Sequence, residues 1–141
     1  MLKSSNFVTI KIANSLKQIG YNEPVMACYD KCGMLSTYSE NLFKTKKYNN
    51  SAYCVSAPLW QEAMEWFRNI YSIDISVNNV ISGNGGFQYY FSIIKRKRNL
   101  ESEMYPISQP SWHDEYDDAR LYGISKAIEL IQSNINWNTK E

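Results

Sequence analysis

Apolar residues recur along this chain with two periods, 3.6 and 2, and the points where one gives way to the other predict its elements. The clearest change lies between Ser56 and Val77. Leu59, Ala63, Trp66, Phe67 and Ile70 repeat as one face of a helix, while Gln61, Glu62, Glu65, Arg68 and Asn69 fall on the other. Pro58 stands at the first helical position, where a missing N–H costs nothing. At Ser72 the period drops to two, and Ile73, Ile75 and Val77 alternate with Asp74 and Ser76, so a strand follows at once. The pattern predicts a helix whose aromatic face packs on a sheet.

The same reasoning extends to both sides. Val8, Ile12, Leu16 and Ile19 predict a helix over 5–19, capped by Ser5 or Asn6 and stopped by Gly20. Val25–Tyr29 and Met34–Tyr38 flank Asp30-Lys31-Cys32-Gly33, the signature of a hairpin in which Gly33 supplies positive φ. Residues 39–50, with three lysines and two adjacent asparagines, read as a surface loop. A short strand over 51–55 precedes the central helix. Phe87–Arg98 reads as the longest strand, reached through Ser82-Gly83-Asn84-Gly85-Gly86. Residues 99–110 form a polar connection. A last helix is predicted over 111–133 on the repeat of Leu121, Ile124, Ile128 and Ile131, with Ala127 between them and Asp114, Glu115, Asp117 and Asp118 in its first turns. The order α-β-β-β-α-β-β-α implies an α+β fold: a mostly antiparallel sheet of four or five strands covered by three helices. One domain is expected over 1–133, and 134–141 as a tail.

Composition narrows the class without fixing a function. The chain has 141 residues, 44% hydrophobic and 21% charged, in the ordinary globular range. Aromatic residues make up 14%, and eleven of them are Tyr, a side chain suited to partly wet cores and to binding surfaces. A net charge of +1 argues neither for nor against a polyanionic partner. Cys28, Cys32 and Cys54 are odd in number and lack the spacing of a zinc site, so reduced thiols in a cytoplasmic protein are expected. No stretch reads as a signal peptide or a membrane span.

Four features could carry chemistry. The glycine-rich 82–86 loop has strands on both sides, whereas phosphate loops lead from a strand into a helix, so a hairpin turn is the better reading. Lys95, Arg96, Lys97 and Arg98 follow an aromatic strand; with Tyr89, Tyr90 and Trp112 as stacking surfaces they form the candidate site for an anionic ligand. Against this, alternation sends Lys95 and Lys97 to one face and Arg96 and Arg98 to the other, and lysines at a strand end also discourage aggregation. His113 beside four carboxylates suggests a metal or acid–base site, but the i,i+4 ligand pair is missing and acidic helix starts are favourable by themselves. No metal site, cofactor or catalytic residue is assigned. Trp60 and Met64, flanking the central helix's apolar face, fit either a subunit contact or a wide buried stripe.

The region 21–38, the block Ser-Ala-Pro-Leu-Trp-Gln-Glu-Ala-Met-Glu-Trp-Phe-Arg at 56–68 and the helix 119–131 together resemble a family of short proteins carried by phages and prophages of gut Bacteroidetes. The matching residues are packing residues, so no site is carried over. The resemblance implies an accessory protein acting in the host cytoplasm by binding. The leading expectation is a non-enzymatic homo-oligomer that antagonises host defence by binding a host protein or a small nucleotide-like ligand. Single-stranded nucleic-acid binding is the alternative, and a small hydrolase using His113 comes third.

Overall fold

The computed structural model describes residues 2–37, 45–81, 83–96, 102–104 and 112–133, the last strand through its backbone only. It is an α+β protein with two antiparallel three-stranded sheets, where the sequence suggested one larger sheet. The chain divides into two compact units, Met1–Glu65 and Trp66–Glu141. Among the described residues no helix is long and apolar enough to cross a membrane.

In the first unit a single turn of 3-10 helix at Ser4–Asn6 precedes helix α1 (Ile10–Gln18). The helix starts later than the sequence suggests, because Thr9 caps it: its hydroxyl accepts from Ile12 N. Gly20, at φ 98°, ends it as expected. Strand β1 (Ala27–Tyr29) pairs with β2 (Leu35–Thr37) through the predicted turn, with Gly33 at φ 81°. On its other edge β1 pairs with β3 (Val55–Ser56), placing Cys28 opposite Ser56 and Tyr29 opposite Val55. Ile12, Ala13 and Leu16 are the buried face of α1, which lies against β3. Buried Tyr29 donates its hydroxyl to Val8 O at 2.6 Å, which ties β1 to the chain entering α1. Within the expected 39–50 loop, Lys46 exchanges two backbone hydrogen bonds with Val25, and Tyr48–Asn50 forms a 3-10 turn.

Helix α2 (Trp60–Tyr71) begins two residues after Pro58, since the Glu62 carboxylate accepts from Leu59 N and closes its first turn. Its buried residues are Trp60, Ala63, Trp66, Phe67 and Tyr71. Ile70, assigned to the apolar face, is exposed instead, and Trp60 and Tyr71 widen the buried stripe. Trp66, Phe67 and Tyr71 pack ring on ring, with Trp66 edge-on to both at 5.3 Å.

The second unit is organised by the long hairpin of β4 (Ile73–Ile81) and β5 (Phe87–Arg96), in unbroken register from Ile73↔Lys95 to Ile81↔Phe87. A third strand, β6 (Ser102–Met104), pairs with β5 inside the segment read as a connection. Helix α3 (Tyr116–Ser133) lies across β4 and β5. Its seat is not the predicted leucine–isoleucine stripe alone. Leu121 and Ile131 are only half-buried, whereas Ala119, Gly123 and Ala127 are buried with Ile124, Ile128 and Leu130. Small residues four apart bring the helix close to the sheet, and they add little hydrophobic signal to the sequence. The helix that covers the strand after Ser72 is therefore α3.

Candidate functional site

Successive residues of a strand point to opposite faces, and this parity sorts the candidate residues of β5. Phe91 and Ile93 are buried, and Phe91 lies beneath Gly123 of α3. Phe87, Tyr89 and Lys95 share that face by alternation, while Gln88, Tyr90, Ser92, Ile94 and Arg96 stand on the other. The three proposed stacking residues therefore divide. Tyr90 meets Trp112 edge-on at 5.2 Å on one face. Tyr89 turns to the helix face, edge-on to Phe87 at 5.1 Å and to Tyr116 at 5.8 Å.

The segment before α3 explains why Trp112 reaches Tyr90. It is not helical; His113 and Tyr89 exchange backbone hydrogen bonds at 2.7 and 2.8 Å, so this segment pairs with β5 at an isolated antiparallel bridge. The acidic run is thereby split, with Asp114 and Glu115 ahead of the helix and Asp117 and Asp118 in its first turn. His113 stacks on Tyr122 at 4.7 Å with the rings 18° apart. Its Nε2 is buried and makes no hydrogen bond among the described residues. No neighbouring carboxylate reaches that nitrogen, so the acid–base pair suggested by the local sequence is not formed there. Arg120 lies over the Tyr116 ring at 5.5 Å and pairs with Asp117 at 3.1 Å. Burial pulls its guanidinium below the ordinary value, against the attraction of Asp117.

The rings thus form a connected surface at the turn end of the hairpin. On the helix face Phe87 leads to Tyr89 and Tyr116, and the Tyr89–His113 bridge leads to Tyr122, while Tyr90–Trp112 stands on the opposite face. On the helix face Phe87 is 48% exposed and Tyr122 55%, and Ile81 and Tyr116 are exposed as well. Scattered exposed apolar residues are ordinary, but so many adjoining rings are the composition of a contact surface.

The basic candidates lie at the other end of β5. Six residues of strand separate Tyr90 from Arg96, about 20 Å. Both described cations have partners within the second unit. Lys95 Nζ donates to Tyr71 O at 2.6 Å, placing an ammonium at the negative end of α2. Arg96 Nε meets Asp74 Oδ2 at 2.9 Å, and Arg68 Nε meets Asp74 Oδ1 at 2.6 Å, so one carboxylate is held by two guanidiniums. Lys97 and Arg98 lie outside the described residues. Between the two ends Ser76 and Ser92 share a hydrogen bond of 2.7 Å, and Asn78 donates to Ser92.

Trp60, offered as a subunit contact, is 5% exposed and donates its indole N–H to Ser5 O, so the wide-stripe reading holds for it. Met64 is half-buried. Among the described residues no three His, Cys, Asp or Glu side chains are grouped to hold a metal ion.

Sequence reasoning passed over one feature of the first unit. Lys46, Lys47, Tyr48, Asn50, Ser51 and Cys54 line a pocket of about 380 Å³. The Cys54 thiol donates to Tyr48 O at 3.6 Å, and burial, with the neighbouring Cys54 next in weight, pushes the Cys28 thiol up to about 11. The signal was the register of β1 on β3, which no local pattern discloses. In comparisons with protein families, curated proteins and solved structures, the chain has no significant match.

Proposed function

We propose that this is a non-enzymatic binding protein whose contact surface is the ring cluster at the turn end of the β4–β5 hairpin, and that its partner is another protein. One observation carries the reading: Phe87, Tyr116 and Tyr122 are exposed together where α3 begins over the register-locked β4–β5 hairpin. Aromatic side chains give large contact area for little conformational entropy, and a rigid support lowers the cost of association further. The small-anion reading has less behind it, because Lys95 and Arg96 are engaged within the protein and stand far from the rings. The resemblance to phage-borne proteins adds the expectation that the partner is a protein of the host cell.

The test is site-specific photocrosslinking in cells, with a benzophenone side chain at Phe87 or Tyr122 and, as control, at exposed Glu65. Discrete adducts from the two ring positions, absent at Glu65 and lost with Tyr116→Ala, support the surface. An adduct of twice the chain's mass identifies a second copy as the partner. Equal or absent adducts at all three positions in folded protein refute the proposal.

A second reading, single-stranded nucleic acid, rests on Tyr90, Trp112, Asn78 and Arg96 sharing one face of the hairpin. It requires oligonucleotide affinity that falls steeply with salt and collapses in Tyr90→Ala.

A further inference from the structure

We propose that Cys28 and Cys54 form a reversible disulfide by exchange with an anionic low-molecular-weight disulfide that enters the lysine-lined pocket of the first unit. The geometry comes from strand pairing. Cys28 faces Ser56 across β1 and β3, so Cys54, two residues before Ser56, is its diagonal neighbour on the same face. Diagonal neighbours stand about 7 Å apart between Cα atoms. That is just beyond the usual span of a disulfide, and the Cys54 thiol is near enough to help raise the Cys28 thiol above its ordinary value. Cys54 also adjoins the non-regular turn 51–54, which can move inward without breaking a strand ladder.

The pocket supplies access and charge. Cys54 is the thiol that lines it, and Lys46 and Lys47 stand on the same wall with exposed side chains. Lys17 donates to Ser51 O at 2.9 Å and to Cys54 O at 3.2 Å, so a lysine side chain, not a strand ladder, holds the turn that carries the thiol. Two ammonium groups on the lining of the pocket attract the carboxylates of an incoming reagent. Cys28, half-buried behind it, is placed to resolve rather than to initiate.

The exchange balances without any further oxidant. Cys54 gives its proton to solvent, and its sulfur attacks one sulfur of the reagent, breaking the S–S bond and releasing one thiolate. Cys28 then gives up its proton, and its sulfur attacks Cys54 Sγ in the mixed disulfide and expels the second thiolate. Two thiols of the protein are oxidised, one disulfide is reduced to two thiols, and the two released protons end on those products. The bridge covalently joins β1 to the chain entering β3.

The test treats the reduced full chain with glutathione disulfide, which is anionic, and separately with bis(2-hydroxyethyl) disulfide, which is uncharged. Products are acid-quenched, alkylated and mapped by mass spectrometry. The expected result is a loss of two hydrogens with Cys28 and Cys54 peptides linked, in wild type and in Cys32→Ser alike. Cys28→Ser should instead retain a mixed disulfide on Cys54. Replacing Lys46 and Lys47 with Gln, both exposed, should slow the reaction with glutathione disulfide about tenfold and leave the uncharged reagent unaffected. Modification of Cys32 alone in wild type, with no linked peptide from either reagent, overturns the proposal. Equal rates for the lysine variant and wild type overturn the role of the pocket. Both outcomes are read on proteins whose circular dichroism matches wild type.

Discussion

Gly123→Ala isolates the close seating of α3 on the sheet. A Cβ built at this position stands 3.1 Å from Ile75 Cγ2 and 3.1 and 3.2 Å from Phe91 Cβ and Cγ. Ordinary carbon–carbon contacts lie near 3.5–4.0 Å, so all three must open by a few tenths of an ångström. Alanine in a helix interior gains about 0.8–1.0 kcal/mol over glycine, which favours the variant. Overpacking a filled core costs about 1–3 kcal/mol. Phe91 Cβ is held by its strand and cannot rotate away, and Ile75 is buried, so relief requires moving helix and sheet apart. That places the cost in the upper half of its range and leaves a net loss of about 1–2 kcal/mol. Urea titration should show a lower midpoint at unchanged slope, and the melting temperature should fall by roughly 4–8 °C. Gly20→Ala is the comparison: nothing lies within 4 Å of its added Cβ, and only the φ of 98° resists, for about 1 kcal/mol. A Gly123→Ala midpoint at or above wild type would refute the seating argument.

Three further outcomes follow from particular contacts. Tyr29→Phe leaves the Val8 carbonyl without its buried donor and should cost about 1–2 kcal/mol in chemical denaturation, with no change in shape. Asp74→Asn removes the carboxylate shared by Arg68 and Arg96; because both guanidiniums are half-exposed, stability should drop by less than about 1 kcal/mol and less still in high salt. The same variant releases two cations beside the Tyr90 face, so any weak oligonucleotide binding should strengthen, measured by fluorescence anisotropy at low salt. The Cys28 thiol is held at about 11 in the fold against an ordinary 9.0. The unfolded chain therefore loses this proton first, and stability present below pH 9 is lost as the pH rises from about 9 to 11. Denaturation curves of wild type against Cys28→Ala across that window should converge as the pH increases.

Much of the architecture was legible in local pattern. Trp66 and Phe67 advertise a buried helix face, the Ile73–Val77 alternation a strand, and Gly20 and Gly33 the turns they make. What escaped was non-local. The helix face of α3 is carried by Ala119, Gly123 and Ala127, which look neutral until a sheet is laid against them. His113 joins a strand edge rather than a helix because Tyr89 offers it two backbone partners. Lys95 and Arg96 read as a charge run, yet the Tyr71 carbonyl and the Asp74 carboxylate that take them up lie more than twenty positions away in sequence. The candidate surface was half visible: Tyr89, Tyr90 and Trp112 were singled out for their type, but their division between two faces and their company with Phe87, Tyr116 and Tyr122 depend on register and on the bridge to His113.

The opposed orientation of Tyr89 and Tyr90 bears on how this hairpin can vary. Each serves a different side, so inserting or losing one residue within either arm would exchange the two tyrosines' roles and upset both surfaces together. Length changes should therefore be tolerated only at the bend around Gly83–Gly86, beyond the last rung. A library of random single-codon indels, sorted for retained fold, should show survivors crowded there and scarce along both ladders.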